Sequence, residues 1–459
     1  MSFLNIGFGL FSFFCCLVVN VKADTPANCT YEDVAGQWIF DVGPGNNDRT
    51  IDCSKFSSGQ NKIKIRLIYP DVAIDQFNNK GFWTLIYNQG FEVVVAGRKY
   101  FGFSYFEGNV SFCDTIKGGW SHDVLGRDWA CYNGKKSQNA RKVLNLRHQD
   151  SSLRYGHGLN SNALVWAINN AQTSWKATTY NQFEGFTIDD YINLAGGKGS
   201  RLHSRPKPAP ITDEQRKLMS VFPESFDWRN VDNVNYVSPI RNQGNCGSCY
   251  AFGSLGMDEA RVRIATNNTQ QPVFSTQDIV ECSPYSQGCS GGFPYLISGK
   301  YAEDYGLVLE GCNPYKGVDG KCQTDPKCPR HYFTNYKYVG GYYGACNEFL
   351  MMEAIYNRGP IAVSFEVYND FMSYSSGVYH HTGVKGLDDR FNPFEITNHV
   401  VVVVGWGVDA RSGEKYWIVK NSWGNAWGLE GFFWIRRGTD ECSIESIAAE
   451  SSPVYTFNN

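Results

Sequence analysis

The stretch QGNCGSCY, residues 243–250, gives Cys249 the surroundings of a nucleophile rather than those of a structural thiol. A cysteine attacks a carbonyl carbon as the thiolate, so it needs a base nearby and donors for the oxyanion that forms. Far downstream, His399 in TNHV is a candidate base, and Asn421 in KNSWG can hold its imidazole ring. Gln243 can donate its side-chain amide to the oxyanion beside the Cys249 backbone N–H. These four side chains are the predicted catalytic residues: Cys249, His399, Asn421 and Gln243.

The pattern around Cys249 predicts a helix that begins at the nucleophile, within Ser248–Thr266. A helix N-terminus carries partial positive charge and unpaired N–H groups, which favour the thiolate. In the half that follows, Val400–Gly405 and Lys415–Val419 are strong strand candidates. A helical half followed by a β half indicates a two-lobed α+β domain over residues 222–459, with the nucleophile on one lobe and the histidine on the other.

Residues 24–133 show β periodicity without helices between the strands. Lys62–Ile68 alternates strictly, Phe82–Tyr87 and Phe91–Val95 flank a hairpin turn, and Tyr100–Phe106 continues the pattern. Short consecutive strands of this kind predict an antiparallel meander closed as a barrel.

Residues 134–221 have a different character and predict a connecting segment between the two folded units. Gly134–Gln138 is polar and is predicted to be an exposed site for proteolysis. Asn162–Trp175 has apolar residues at helical spacing. The stretch over residues 196–210 is basic and rich in Gly and Pro, so it cannot hold a packed core of its own. The segment is typical of a pro-segment that precedes a catalytic unit.

Residues 1–23 are predicted to be a signal peptide, because an uncharged apolar run ends at small residues around Ala23. A membrane anchor is the alternative, but the run is shorter than the roughly 20 apolar residues that span a bilayer. We therefore take Asp24 as the mature N-terminus and expect the secretory pathway. The formal net charge of −3 gives no reason to expect nucleic acid or an anionic membrane as a partner.

Cysteine usage agrees with secretion. Of the 15 cysteines, Cys15 and Cys16 leave with the signal peptide, and setting Cys249 aside leaves an even number for pairing in an oxidising compartment. Three N-x-S/T sequons are candidate glycosylation sites: Asn28, Asn109 and Asn267.

Cys249 and His399 each have an alternative interpretation. Cys246 and Cys249 form a C-x-x-C pair, as in thioredoxin-like dithiols, but that motif should follow a strand in a small βαβ unit, and here Gln243-Gly244-Asn245 precedes it. A lone histidine is usually a core residue, but the spacing of His399 from Cys249 and the NSWG motif after it favour a catalytic role.

Several motifs resemble those of papain-family cysteine peptidases. In addition to the Cys249 stretch, the chain carries DWR at residues 227–229 and GCSGG at residues 288–292. The whole of residues 24–450 resembles the members of that family that have an extra N-terminal domain. The motifs that carry this second resemblance are DTPANC (24–29), YNQGFE (87–92), VLGR (124–127), RPKPAP (205–210) and FNPFE (391–395).

The resemblance implies an exopeptidase that releases dipeptides from free N-termini of peptides and proteins. The barrel would be an exclusion domain that closes the far end of the cleft, and the carboxylate of Asp24 would hold the substrate ammonium group. Gly292 would pair with substrate backbone, and Phe293 would line the second subsite. Tyr295 and Tyr338 would help to bind a chloride ion, and no metal is expected.

The resemblance also implies five disulfides, with Cys346 and Cys442 left free. These pairs are Cys29–Cys113, Cys53–Cys131, Cys246–Cys289, Cys282–Cys322 and Cys312–Cys328. A processing protease would cut near Phe222 and Asp389, giving a heavy chain over about 222–388 and a light chain over about 389–459. A homotetramer in the lysosome, in granules or in a secreted fluid is expected.

Two other functions stay open on the sequence: a papain-type endopeptidase that discards its N-terminal domain, and a non-catalytic glycoprotein built on a peptidase fold. Two departures from the usual family pattern stand out. Tyr250 occupies the place of the tryptophan that usually follows the nucleophile, and the connecting segment lacks the long helical inhibitory pattern of ordinary papain-type precursors. The second departure gives little reason to expect self-inhibition.

Overall fold

The computed structural model describes residues 27–59, 61–108, 110–137, 142–144, 159–197, 204–384 and 398–454. Four of the sequence predictions lie outside the described residues: the signal peptide over residues 1–23, the N-terminal Asp24, the sequon at Asn109 and the cut near Asp389. Within the described part of the chain, no helix combines the length and the apolar character needed to cross a membrane.

The N-terminal part is a closed antiparallel barrel, as predicted, and we call it the barrel domain. Its neighbouring strands pair in sequence order, and β8 pairs with β1 to close the ring. The strands are β1 Gly36–Val42, β2 Asn61–Ile68, β3 Val72–Asp75, β4 Lys80–Ile86, β5 Gly90–Val95, β6 Arg98–Glu107, β7 Val110–Asp123 and β8 Trp129–Lys136, and a short helix, α1 Tyr31–Val34, precedes them.

Large aromatic side chains fill the barrel because alternate residues of each strand point inward. Trp38 and Phe40 on β1 meet Phe91 on β5, with ring centroids 5.0 Å apart for Trp38 and Phe91. Two disulfides fasten the barrel, and both are among the five implied pairs: Cys29–Cys113 and Cys53–Cys131.

The barrel extends beyond the predicted boundary at residue 133. Strand β8 runs to Lys136, and β9 Lys142–Leu144 pairs with β7. Lys136 is buried, and its Nζ donates to the backbone carbonyl of Asp33 at 2.7 Å. The prediction that Gly134–Gln138 is exposed is therefore wrong for Gly134 and Lys136, because strand pairing and this contact take them out of solvent.

The connecting segment joins the sheet of the C-terminal domain instead of running free as a linker. Its elements are α2 Asn162–Ala171, β10 Trp175–Ala177, α3 Ile188–Leu194 and α4 Asp213–Met219. The predicted helix is shorter than expected, because Trp175 lies in β10 and not in α2. Strand β10 pairs with β14, which is Tyr374–Tyr379, so a strand of the connecting segment adds to the edge of the C-terminal sheet.

The C-terminal domain has the predicted two lobes, one helical and one built on a sheet. The sheet order is β10-β14-β17-β16-β15-β13-β18-β12, with β11 beside β15. The further strands are β11 Phe226–Asp227, β12 Phe333–Tyr338, β13 Ile361–Glu366, β15 Asn398–Val408, β16 Lys415–Lys420, β17 Phe432–Arg436 and β18 Ala448–Pro453. The helices are α5 Cys249–Ala265, α6 Thr276–Cys282, a π-helical segment Tyr295–Tyr301, α7 Ala302–Asp304 and α8 Glu348–Arg358.

Three disulfides lie in the helical lobe, and they complete the five implied pairs: Cys246–Cys289, Cys282–Cys322 and Cys312–Cys328. Cys249, Cys346 and Cys442 are free and buried. Helix α5 crosses the middle of the domain with most of its length buried, and it packs against β15. The nucleophile candidate and the histidine candidate are therefore carried by two elements in direct contact.

Candidate active site

Cys249 is the first residue of α5 and is completely buried. The backbone N–H of Val400 donates to its Sγ at 3.4 Å. Because Val400 directly follows His399 on β15, this contact places the thiol beside the histidine backbone. The structure thus brings together two residues that the sequence separates widely.

The imidazole of His399 is held by Asn421, which follows the end of β16. The distance between His399 Nε2 and Asn421 Oδ1 is 2.8 Å. An amide oxygen only accepts hydrogen bonds, so Nε2 carries the proton in the neutral ring and Nδ1 keeps a lone pair. Nδ1 is buried and has no hydrogen-bond partner among the described residues. The Trp423 ring lies over the pair, 5.0 Å from the His399 ring centroid, and keeps water from it.

Burial holds both groups in their neutral forms. It raises the pKa of the Cys249 thiol to about 12, although the Val400 N–H opposes the shift. It lowers the pKa of His399 to about 4, opposed by the hydrogen bond to Asn421. Desolvation disfavours charge on either side chain. Burial in this form of the protein therefore favours the thiol and the neutral imidazole over the thiolate and the imidazolium.

Gln243 has its side-chain amide fixed at both ends. Its Oε1 accepts a hydrogen bond from Ser422 Oγ at 2.6 Å. Its Nε2 donates to the backbone carbonyl of Cys246 at 2.9 Å and to that of Leu194 at 3.2 Å. The donor that the sequence assigned to an oxyanion thus already binds a carbonyl oxygen from the connecting segment.

The connecting segment lies in the cleft at the end of α3. The Leu194 carbonyl also accepts a hydrogen bond from Trp423 Nε1 at 3.1 Å. Gly197 follows with φ of +80°, and a Cβ there would lie 2.7 Å from the Ser290 carbonyl oxygen. A Cβ on Gly247 would lie 3.0 Å from the Gly196 carbonyl oxygen. A short glycine-containing stretch of the connecting segment therefore lies against the site without a long inhibitory helix.

A cluster of buried aromatic side chains, which we call the aromatic pocket, lies beside Gly292, where the second subsite is expected. The Phe293 ring stacks on Tyr87 of the barrel domain with centroids 4.1 Å apart. Tyr295 and Tyr338 stack on each other at 4.5 Å. The Tyr338 hydroxyl is buried and has no hydrogen-bond partner within the described residues, so it can donate to an anion. The Tyr295 hydroxyl instead donates to Glu92 Oε2 at 2.9 Å.

The barrel domain reaches this pocket through the hairpin between β4 and β5. Tyr87 and Asn88 in its turn have φ of +48° and +59°, a conformation that non-glycine residues rarely adopt. The Asn88 carbonyl accepts a hydrogen bond from the Cys29 N–H at 2.7 Å. The first described residue, Ala27, is buried two positions before Cys29. The start of the barrel domain is therefore fastened next to the hairpin that touches Phe293.

The sequence did not point to three of the residues at this site: Tyr87, Leu194 and Ser422. Tyr87 lies in a predicted strand end, Leu194 acts through its backbone carbonyl, and Ser422 acts by holding the amide of Gln243. Ser422 is in the NSWG motif, which is a usable signal, whereas a backbone acceptor leaves none in the sequence.

Comparison with known proteins agrees with this geometry. The model of the papain family cysteine proteases matches residues 222–452. The model of the cathepsin C exclusion domain matches residues 24–136. Cathepsin C of Schistosoma mansoni is 46% identical over 440 residues, which cover 94% of this chain and 96% of that protein. Pro-cathepsin H of Bos taurus is 32% identical over 67% of this chain and 88% of its own length.

Solved structures show the same fold over about two thirds of the chain. The proCathepsin B S9 structure from Trypanosoma congolense superposes with a TM-score of 0.53 at 27% identity, covering 65% of this chain and all of that one. Digestive procathepsin L2 from Tenebrio molitor larval midgut gives a TM-score of 0.50 at 30% identity, covering 63% of this chain and 87% of that one.

The chain belongs to the papain family of cysteine proteases. The exclusion domain in front of the peptidase fold, together with the similarity along nearly the whole chain, makes it a cathepsin C-like cysteine peptidase, a hydrolase of the dipeptidyl-peptidase I type.

Proposed function

We propose that this protein is the precursor of an exopeptidase that cleaves dipeptides from free N-termini through a thioester acyl-enzyme. The Cys249 thiolate attacks the scissile carbonyl, and His399 gives the thiol proton to the leaving amine. Asn421 holds the imidazole, while Gln243 Nε2 and the Cys249 backbone N–H stabilise the oxyanion. Water then hydrolyses the thioester, with His399 acting as the base.

The observation that carries this proposal is the stack of Tyr87 on Phe293, which sets the barrel domain across one end of the cleft. Asp24 lies three residues before Ala27, so extended chain from Ala27 reaches at most about 10 Å. We propose that Asp24 places its carboxylate at the subsite beside the hairpin. A carboxylate at that subsite would pair with the ammonium group of a substrate.

The test is a pair of dipeptidyl amides, one with a free amine and one N-acetylated, with the processed protein. We expect hydrolysis of the free amine only, and an Asp24→Asn variant should lose most of kcat/KM for it. Glu32→Gln, which removes an exposed acid from the same domain, is the matched control. Equal hydrolysis of both amides would overturn the proposal and favour an endopeptidase.

We also propose a chloride site in the aromatic pocket. Tyr338 fits an anion because its buried hydroxyl is available as a donor. The Tyr295 hydroxyl is committed to Glu92, so Tyr295 contributes its ring to the pocket wall. Bound chloride would supply negative charge at the base of the subsite. Turnover by the parent should then depend on chloride, and turnover by Tyr338→Phe should not.

Maturation is proposed to cut the chain on both sides of the connecting segment and again between the heavy and light chains. The segment before Phe222 is accessible to a processing protease, since Val221 is 77% exposed and Leu218 is 46% exposed. Five disulfides suit an oxidising compartment, and a lysosomal homotetramer is proposed. N-terminal sequencing of the mature chains and sedimentation of the assembly test these points.

Glycans are proposed on the sequons. Asn267 is exposed at the end of α5, and Asn28 is partly buried next to Cys29. Mass spectrometry before and after enzymatic removal of N-glycans shows which of them is used.

A further inference from the structure

Arg205, near the proline-rich end of the connecting segment, is a cation buried against the C-terminal domain. Its side chain is 8% exposed. Its Nη1 donates to the backbone carbonyls of Ser364 at 3.2 Å and Ser443 at 3.5 Å. Its Nε lies 3.5 Å from Oε1 of Glu366. We call the set of Ser364, Ser443 and Glu366 the arginine site.

The arginine site has the features of a built binding site. A guanidinium that leaves water is costly unless its donors meet acceptors and a countercharge. Ser364 and Glu366 are two residues apart on β13, so their side chains share one face of the strand. The Tyr368 hydroxyl donates to Glu366 Oε2 at 3.0 Å and fixes the carboxylate.

The chain on either side of Arg205 is held as well. Asn88 Nδ2 of the barrel domain donates to Ser204 Oγ at 2.8 Å, and the Ala209 N–H donates to the Cys346 carbonyl at 2.8 Å. Lys207, the other cation of the RPKPAP motif, is exposed. The motif therefore presents its arginine to the C-terminal domain and its lysine to solvent.

The arginine site adjoins the aromatic pocket. The Tyr87 hydroxyl lies 3.4 Å from Ser364 Oγ, and the same Tyr87 ring stacks on Phe293. Arg205 therefore fastens the connecting segment at the barrel side of the cleft, whereas Leu194 covers the Gln243 side. The Arg205 contacts and the Leu194 contact involve different residues of both the connecting segment and the C-terminal domain.

We propose that the arginine site, once the connecting segment has been cut out, binds an arginine-containing peptide. The proposal rests on the processing described under the proposed function. Its ligand is a basic peptide in which arginine precedes proline. A planar guanidinium matches two carbonyls and a carboxylate at once, which a lysine ammonium does not. Once the segment leaves, the site is open to such a peptide from solution.

The first test measures binding of a labelled SRPKPAP peptide, residues 204–210, to the processed enzyme by fluorescence anisotropy. We expect the peptide with R205A to bind roughly tenfold more weakly or worse, and the peptide with K207A to bind like the parent at moderate salt. Enzyme carrying E366Q should lose affinity to the same extent. Equal binding of the parent and R205A peptides, or no binding of the parent peptide, would overturn the proposal.

The second test uses the parent enzyme only, so that it does not depend on the folding of an enzyme variant at Glu366. The peptide with R205K should bind about as weakly as the R205A peptide, because an ammonium group does not match two carbonyls and a carboxylate at once. Binding of the R205K peptide equal to that of the parent peptide would contradict the proposal.

These readouts separate the inference from the proposed function. Peptide binding needs no dipeptide release. Binding without dipeptidyl turnover would overturn the proposed function and leave the arginine site in place. Turnover without arginine-dependent binding would overturn the proposal for the arginine site and leave the proposed function in place.

Discussion

The backbone carbonyl of Leu194 lies 3.2 Å from Nε2 of Gln243, the amide proposed to stabilise the oxyanion. A carbonyl oxygen of the protein's own chain thus takes the donor that a substrate oxyanion needs. The same oxygen accepts from Trp423 Nε1. This form of the peptidase is therefore closed to substrate by a backbone group.

Substitution of Gly197 should open the unprocessed site. Ala at this position has an unfavourable positive φ and a Cβ in contact with the Ser290 carbonyl, so the segment should lift from the cleft. We expect iodoacetamide to alkylate Cys249 in unprocessed Gly197→Ala roughly tenfold faster than in the parent, which corresponds to about 1.4 kcal/mol. Gly185→Ala is the matched control, because Gly185 has φ of +77° and open space around its Cβ. Equal rates in the two variants would show that the close contact does not hold the segment.

The alkylation rate should also report the ionisation of the thiol. In the unprocessed chain the pKa of Cys249 is raised to about 12 by burial, and His399 is neutral above about pH 4. The thiolate fraction then rises about tenfold for each pH unit between 6 and 9, with no plateau. After processing, water and the nearby imidazolium stabilise the thiolate, so the rate should level off already in mild acid. A plateau near neutral pH in the unprocessed chain would contradict the neutral pair.

Removal of the Gln243 amide should slow the chemical step of the processed enzyme. We expect Gln243→Ala to lower kcat by about a hundredfold or more with little change in KM, because the oxyanion forms only in the transition state. Gln271→Ala, at an exposed glutamine of the same domain, is the control. Steady-state kinetics on a free-amine dipeptidyl amide make the measurement. A loss confined to KM would assign Gln243 to ground-state binding.

His122 should make the contact between the two domains weaker in acid. It lies 3.2 Å from Lys300 Nζ, and burial and Lys300 lower its pKa to about 4. In the unfolded chain it takes a proton near pH 6.5, so its contribution to stability is present above that pH and is lost as the pH falls toward 4. The difference in unfolding free energy between the parent and His122→Asn should shrink from pH 7 to 4.5, by about 3 kcal/mol at most.

Urea unfolding of the inactive Cys249→Ser chain measures that difference without self-cleavage. The comparison uses the two chains at each pH, because other buried acids shift the total stability of both alike. A difference that stays constant with pH would assign His122 a purely steric role.

Much of the fold could be predicted because its signals are local. The alternation in Lys62–Ile68 and the apolar spacing after Cys249 correspond to β2 and α5 within one or two residues. Trp175 was misplaced because its apolar side chain fits a helical pattern as well as a strand, and only pairing with β14 decides between them. The prediction placed Lys136 in solvent because a lysine is usually exposed. Nothing in the sequence indicates that its ammonium group donates to the Asp33 carbonyl.

The sequence alone determined the chemistry, because a nucleophile, a base and their supporting amides must be particular side chains in recognisable motifs. Tertiary structure decided whether these groups are accessible and which protonation forms are favoured. The Leu194 carbonyl binds the Gln243 amide, and Arg205 is anchored on the Ser364 carbonyl of β13. Every residue possesses a backbone carbonyl, so the sequence carries no sign of either contact. The neutral forms of Cys249 and His399 likewise follow from burial, which depends on what folds over them. Motifs identify the reactive groups, whereas long-range packing decides whether water and substrate can reach them.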